Sequence, residues 1–477
     1  MQKKFISNLI LMLVLNLLIK PIAIFGIDAS VQNKVGAADY GMYFSLLNLT
    51  FLFNIILDLG INNFTTKNIA QYPHIVTRYM GKLLSFRLLL FAIYVCITFL
   101  TALVLGYELK EYKLLLFLVL NQFLATLIAY FRSHFAGLLL FKTESIISVL
   151  DRFLLIIICG TIFFFEKQNF KIEWFIWIQT LCYSIVTLFA FLLLVKQIGL
   201  PKFTWHWSFS KAIIKKSLPY ALLILLMMFY TRIDSIMIER IHPNGKEEAG
   251  IYAQGFRLLD AFFLFGMIFS NLLFPLFSKI IKQRISVLPL LKTSGNLLIG
   301  GALVIAVFCY YNSEFILSSI YNSEVQQSIE SFQWLMFSFI GMAFTLIFGT
   351  LLTSNGDLRF LNQLSFVGII INIGLNYLLI PIYGASGAAF ATFCTQGVVA
   401  IAQFIHCAKS FSFSIKISQF LNYFAFVLLL IISFYFLNKL DTTLLKITLE
   451  IACSGMILFM TKMIHIKELK SQFIQES

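Results

Sequence analysis

Long apolar stretches, separated by short polar segments, follow one another along the whole chain. Many are close to the ~20 residues that an α-helix needs to cross the hydrocarbon core of a bilayer. They lie at 5–25, 40–60, 83–105, 113–132, 145–165, 173–195, 218–239, 250–278, 290–311, 332–352, 360–381, 386–408, 418–437 and 443–463. The pattern predicts an all-α polytopic membrane protein with about fourteen transmembrane helices.

The composition agrees with this prediction. Hydrophobic residues make up 60% of the 477 residues and charged residues only 12%, with a mean hydropathy of +0.88. A soluble fold of this length could not bury so much apolar surface. Lys3 and Lys4 precede an apolar run that continues past Lys20 and Pro21 without a small-residue cleavage site, which predicts an uncleaved first helix. The loops are too short for a soluble catalytic domain, so we assign no catalytic residue.

The net charge of +14 is distributed by side of the membrane. Basic residues accumulate in alternate connections: Lys67, Arg78, Lys82, Arg87, Lys196, Lys202, Lys211, Lys215, Lys216, Lys279, Lys282, Arg284 and Lys292. The opposite connections carry Glu108, Glu111, Glu247, Glu248, Glu314, Glu324 and Glu330. Because Lys and Arg are retained in the cytoplasm, both termini are predicted to be cytoplasmic. Sidedness explains the basic charge, and no nucleic-acid partner is expected.

The longest basic connection, around 196–217, divides the chain after six predicted helices. Six is even, so both halves start on the same side of the membrane. This predicts two six-helix lobes, 1–205 and 206–410, related by a pseudo-two-fold axis along the membrane normal. Residues 411–477 then form two further helices and a cytoplasmic tail.

Ionisable side chains inside predicted spans are the candidate functional residues, because they are costly in hydrocarbon. Lys20, Arg232 and Arg257 lie on the first, seventh and eighth helices, and the predicted boundaries place all three toward the outer third. Like charges at a similar depth repel one another but suit an anionic ligand such as a diphosphate. The acids Asp58, Asp234 and Asp260 are candidates for ion coupling or for the cavity.

Each candidate also has a structural interpretation. Arg232 and Asp234 could pair or extend toward the outer interface, and Arg257 with Asp260 could form an i,i+3 ion pair. Asp58 could cap a helix at the cytoplasmic interface. We interpret Asp151–Arg152 and Glu450 as structural. The isolated His residues and the seven Cys residues show no metal-ligand spacing, so no metal site and no cofactor are predicted.

Three segments resemble a known family. The first is Val35-Gly36-Ala37-Ala38-Asp39-Tyr40-Gly41, followed by Leu57-Asp58-Leu59-Gly60. The second comprises Leu218-Pro219, Arg232-Ile233-Asp234, Gly250-Ile251-Tyr252, Phe256-Arg257-Leu258 and Pro275. The third runs from Ser354-Asn355-Gly356-Asp357 through Asn372, Asn376, Pro381, Gly384, Gly387-Ala388-Ala389 and Thr392. In this order they resemble the Wzx-type O-antigen and capsule flippases of the multidrug/oligosaccharidyl-lipid/polysaccharide (MOP) exporter superfamily, in which an arginine often occupies the neighbourhood of Lys20.

The resemblance implies a non-enzymatic flippase in the bacterial inner membrane. Its expected substrate is an undecaprenyl-diphosphate-linked oligosaccharide, carried from the inner to the outer leaflet by alternating access. Membrane lipid, a coupling ion (H⁺ or Na⁺), a polysaccharide polymerase and a chain-length regulator are further candidate partners. The alternatives are a multidrug or toxin extruder of the same superfamily, a membrane polysaccharide polymerase or lipid-linked glycosyltransferase, and a scaffold for polysaccharide assembly.

Overall fold

A computed structural model describes residues 14–16, 18–62, 65, 66, 69, 76–165, 170–201, 207–413, 417–440 and 443–461. Lys3, Lys4, Lys67 and Lys202 lie outside these residues. Every element within them is helical. Ten helices are long and apolar enough to cross a membrane by length and composition, and the all-α multi-pass prediction is confirmed. The count of fourteen stays a prediction.

The helices follow the predicted stretches in order. They are α1 Val14–Val35, α2 Ala37–Leu52, α3 Val76–Val104, α4 Leu109–Gly137, α5 Phe141–Phe165, α6 Ile172–Ile198, α7 Trp207–Ile241, α8 Gly245–Lys282, α9 Leu288–Tyr311, α10 Ser313–Ile320, α11 Val325–Asn355, α12 Leu358–Ser410, α13 Ile417–Leu437 and α14 Thr443–Met460. A single turn, Ile55–Asp58, follows α2.

The predicted end of the first helix is wrong. α1 continues to Val35, ten residues beyond the predicted boundary, and includes the π-helical segment Ile22–Asp28 directly after Pro21. The polar residues that ended the hydropathy signal have protein partners: Gln32 donates to the carbonyl of Gly250 at 2.8 Å, and Asn33 donates to that of Ile320 at 2.8 Å. Because these contacts replace water, the helix continues through polar sequence.

The two predicted spans 360–381 and 386–408 lie on either side of a kink within Leu358–Ser410, where two helical segments meet, and the range is labelled α12 as a whole. Gly384 interrupts the helical dihedrals with φ 50° and ψ −126°, three residues after Pro381. Proline removes a backbone donor and glycine tolerates positive φ, so this pair permits a sharp kink.

The chain forms two compact units. The first contains Met1–Ala253 and Ile320–Ser323, and the second contains Gln254–Ser319 and Glu324–Ser477. In the first unit α4 packs on α6, and α2 on α7 and α4. Gly41 is required for the approach to α8, because a Cβ built there would lie 1.9 Å from the Lys246 carbonyl oxygen. The boundaries 1–205 and 206–410 and the pseudo-two-fold stay predictions.

In the second unit α11 packs on α12 and on α9. The C-terminal helices α13 and α14 join α9 through an apolar cluster of Val307, Phe426, Leu430, Phe434 and Ile457. Many large apolar side chains on the spans are exposed, such as Leu188 at 59% and Leu192 at 56% on α6. Water would disfavour such a surface, whereas hydrocarbon accepts it.

Candidate functional site: charged side chains in the membrane spans

Lys20 lies within α1, on the residue before Pro21, and is partly buried. Because α1 ends at Val35, Lys20 is fifteen residues from that end, about 22 Å at 1.5 Å per residue. The expectation that it lies toward the outer third of its helix is therefore wrong. The charges that act on Lys20 belong to Arg132, Arg152, Asp151 and Glu144. Across the described ranges no acid lies within ion-pair distance of Lys20.

A hydrogen bond between α1 and α5 sets the position of Lys20. The side-chain amide of Asn16 donates to Ser148 Oγ at 3.0 Å. Lys20 follows Asn16 by one helical turn, and Arg152 follows Ser148 by one turn, so both lie on the faces that this contact brings together. The site therefore contains charges from α1, α4 and α5, all within the first unit.

Each arginine of this site has its own acid. Arg132 donates to Glu144 Oε1 from Nε at 3.0 Å and from Nη2 at 2.5 Å. Arg152 Nε lies 3.5 Å from Asp151 Oδ2, so the predicted Asp151–Arg152 pair is present. The side chains of Arg132 and Arg152 are 26% and 35% exposed, but those of Glu144 and Asp151 only 9% and 16%. The arginines are the accessible partners, and the acids lie behind them.

Sequence reasoning did not single out Arg132 or Glu144. A signal existed, because α4 and α5 are joined by the short turn Leu138–Leu140, in which Leu139 adopts φ 60°. Side chains that lie two turns or fewer from a tight antiparallel connection commonly face each other. A basic and an acidic residue on either side of that turn therefore predict an ion pair.

Arg232 and Asp234 lie on α7 and have different surroundings. Arg232 Nη1 lies 3.4 Å from Asn48 Oδ1, and its guanidinium lies 5.2 Å from the Phe51 ring. Asp234 is 1% exposed and accepts a hydrogen bond from the Tyr252 hydroxyl at 2.9 Å. The structure therefore gives Asp234 a close phenolic partner, and it keeps Arg232 partly accessible.

Arg257 and Asp260 lie on α8, in the second unit, and both are partly buried. Residues three apart lie on one side of a helix, so the i,i+3 interpretation fits the backbone. Joint action of Arg257 with Lys20 and Arg232 stays a prediction.

Asp58 belongs to a closed cluster. Arg87 Nη2 donates to Asp58 Oδ1 at 2.5 Å and to Asn62 Oδ1 at 2.7 Å, and Arg87 Nη1 donates to the Thr126 carbonyl at 3.1 Å. The guanidinium also lies 4.6 Å from the Tyr130 ring. The placement of Arg87 in a cytoplasmic connection is wrong, because α3 starts at Val76 and Arg87 is only 1% exposed. Asp58 also accepts the Asn62 backbone N–H at 3.2 Å, as a cap would. Its role in ion coupling stays a prediction.

A third arginine cluster in this unit involves Arg240. Its guanidinium lies 3.6 Å from the Tyr107 ring, and Nη2 lies 3.5 Å from Glu111 and 3.4 Å from Glu239. Glu111 also pairs with Lys246 at 2.8 Å. Burial raises the pKa of Tyr107, which lies between spans and donates to Glu239 at 2.8 Å. These contacts join the ends of α4, α7 and α8.

In the second unit, Asn312 donates to Glu450 Oε2 at 2.7 Å, and Glu450 is fully buried. The contact joins α14 to the end of α9. Within the described ranges no group of three or more His, Cys, Asp or Glu side chains is placed to hold a metal ion.

Comparison with solved structures identifies the fold. A lipid II flippase MurJ in an inward closed conformation superposes with a TM-score of 0.73 at 15% identity, covering 96% of this chain and 99% of that one. An inward-facing multidrug resistance MATE family transporter of the MOP superfamily has a TM-score of 0.63 at 14% identity, covering 84% and 98%. A MOP superfamily transporter from Pyrococcus furiosus, whose binding pocket is described as having reverse polarity, has a TM-score of 0.59 at 14% identity, covering 85% and 94%.

A search of curated protein sequences gave no match. The family model for polysaccharide biosynthesis proteins matches residues 5–281, which is more than half of the chain. That match includes α1 to α7 and most of α8, and therefore every charged side chain of the first unit described above. The chain belongs to the polysaccharide biosynthesis protein family, and its multi-pass helical fold is similar to that of the lipid II flippase MurJ and of MATE family transporters.

Proposed function

We propose that this protein moves an undecaprenyl-diphosphate-linked oligosaccharide repeat unit from the inner to the outer leaflet of the bacterial cytoplasmic membrane, by alternating access and with both termini cytoplasmic. Lys20, Arg232 and Arg257 bind the diphosphate. The carrying observation is Lys20, a partly buried ammonium inside a membrane span that no acid contacts within the described ranges. Such a charge is costly in hydrocarbon, and an anionic ligand offsets that cost.

The headgroup chemistry supports this assignment. A diphosphate presents several oxygens that accept charge-assisted hydrogen bonds, which contribute about 1.5–3 kcal/mol each. Lys supplies a point charge, whereas Arg can donate two parallel hydrogen bonds. A cationic multidrug, the substrate class of the alternative extruder, would be repelled by the same residues.

The test is export of surface polysaccharide from cells that carry the Lys20→Ala, Arg257→Ala double variant. We expect export to fall tenfold or more at unchanged membrane abundance, because each cation contributes to headgroup binding. Normal export at normal abundance would refute the binding role of these residues. Cationic-drug efflux that persists in the same variant, without any effect on polysaccharide, would favour the extruder.

The proposed repeat unit is that of an O-antigen, a capsule or another exopolysaccharide, and one experiment distinguishes these pathways. Deletion of the gene should leave the lipid-linked repeat unit on the inner leaflet, and analysis of its sugars would name the pathway.

A further inference from the structure

We propose that Arg132 and Arg152 complete the phosphate site around Lys20, so that three cations from α1, α4 and α5 bind the diphosphate while Glu144 and Asp151 hold the two arginines in place. This inference rests on the proposed function and adds two ligands and two positioning residues to it. All five side chains belong to the first compact unit.

The first argument is proximity. Asn16 donates to Ser148 Oγ at 3.0 Å, and Lys20 and Arg152 each follow these residues by one helical turn, so α1 and α5 bring the two cations to neighbouring faces, while the Arg132–Glu144 pair joins α4 to the first turn of α5. Three like charges on three helices repel one another, and the acids Glu144, Asp151 and, near Arg152, Asp28 offset that repulsion in the empty protein. An arrangement of this kind is stabilised by a multivalent anion, which each cation attracts.

The second argument is accessibility. In both ion pairs the arginine is more exposed than its acid, at 26% against 9% and at 35% against 16%. An acid buried behind an arginine fixes the guanidinium plane but leaves its outer edge available, in the way that outer-shell carboxylates orient metal-binding histidines.

The third argument concerns donors. Glu144 engages Nε and Nη2 of Arg132, which leaves Nη1 on the far edge. Asp151 lies near Nε of Arg152. Among the described residues no hydrogen bond occupies the Nη groups of Arg152, whose guanidinium lies 5.9 Å from the Tyr183 ring. These unused donors, with the Lys20 ammonium, suit the two phosphates of a diphosphate better than a single phosphate.

The fourth argument is depth. Glu144 and Arg152 are three and eleven residues into α5, about 5 and 16 Å from its first residue at 1.5 Å per residue. In the proposed orientation this half of α5 is cytoplasmic, where a substrate enters from the inner leaflet.

The experiment measures binding of farnesyl diphosphate, farnesyl monophosphate, farnesol and inorganic diphosphate to the purified full-length protein in detergent. Arg132→Gln and Arg152→Gln should each weaken farnesyl diphosphate binding about tenfold and farnesyl monophosphate binding two- to threefold. Inorganic diphosphate should compete with labelled farnesyl diphosphate for the wild type but not for either variant. This result would assign the loss of affinity to the diphosphate headgroup. Unchanged affinities in both variants would overturn the inference.

Two further sets of variants protect the test from a folding defect. Arg132→Lys and Arg152→Lys keep the ion pairs, so they should melt like the wild type and still lose the preference for diphosphate over monophosphate. A preserved preference in folded lysine variants would also overturn the inference. Arg240→Gln is the matched control, because Arg240 is a paired arginine of the same unit outside the site. The Arg240→Gln protein should bind farnesyl diphosphate with the affinity of the wild type.

The same measurements separate this inference from the proposed function. If the wild type binds farnesol as tightly as farnesyl diphosphate, the diphosphate assignment itself fails. If Lys20→Gln and Arg232→Gln lower the affinity but the variants of Arg132 and Arg152 do not, only the three-cation site is refuted.

Discussion

Arg87 and Lys20 are two cations inside membrane spans of the first unit, and they differ in burial and in the partners that surround them. Arg87 is 1% exposed and has three hydrogen bonds and an aromatic ring as partners. Lys20 is partly buried and has charged neighbours but, in the described ranges, no ion pair. A buried charge that has an ion-pair partner is typical of a structural role, whereas a charge without one is available to a ligand. A buried charge is therefore interpretable only together with its partners.

Removal of Arg87 should have the largest effect on stability. Arg87→Met leaves the partly exposed Asp58 beside Asn62 without its cation and removes the hydrogen bonds of a buried guanidinium, and loss of one partner of a fully buried pair costs about 3–5 kcal/mol, which is the upper limit here. We expect loss of folded protein, measured as the melting temperature of the detergent-solubilised chain. A variant that melts like the wild type would remove the structural interpretation of Arg87.

Removal of Lys20 should weaken ligand binding without lowering stability, in contrast to removal of Arg87. Lys20→Gln relieves repulsion from Arg132 and Arg152, so the melting temperature should stay the same or rise. Binding of farnesyl diphosphate should fall tenfold or more, which corresponds to about 1.4 kcal/mol. Unfolding of this variant, with Arg87→Met as the comparison, would show that Lys20 is structural too.

A double-mutant cycle sharpens the comparison at Asp58. Asp58→Asn and Arg87→Gln should be non-additive, with a coupling free energy of roughly 1–2 kcal/mol, because each group contacts the other. The Lys20→Gln and Asp58→Asn pair should be additive within about 0.5 kcal/mol. The measurement is the unfolding free energy of the four proteins in each cycle, and strong coupling between Lys20 and Asp58 would contradict the separation of the two clusters.

The smallest effect is expected at Glu450, the buried acid of the second unit. Glu450→Gln keeps an oxygen that can accept the hydrogen bond from Asn312, so stability should change by about 0.5–1.5 kcal/mol at most. Polysaccharide export by the Glu450→Gln protein should equal that by the Asn312→Gln protein when both are measured at equal membrane abundance. An export defect in a stable Glu450→Gln protein would show that this acid has a functional role.

The candidate site was predictable in part. Lys20, Arg232 and Arg257 are recognisable in sequence because each interrupts an apolar span. Arg87 was assigned to a connection although it lies four residues inside the predicted stretch 83–105, because a basic residue near a span boundary is read as a loop residue; α3 in fact begins at Val76 and Arg87 lies well within it. Asp28 and Gln32 ended the predicted first helix for the same reason, although both are buried within α1. Local polarity does not show whether a polar side chain has a protein partner.

The sequence by itself determined that this is a multi-pass helical membrane protein, because twenty-residue apolar runs depend only on local composition and on the need to satisfy the backbone in hydrocarbon. The tertiary structure decided which intramembrane charges are satisfied. Arg87 reaches Asp58 across 29 residues, Asn16 reaches Ser148 across 132, and Gln32 reaches Gly250 across 218. Such distances are set by helix packing, and the free energy of a charge in a membrane depends on the partners that packing provides.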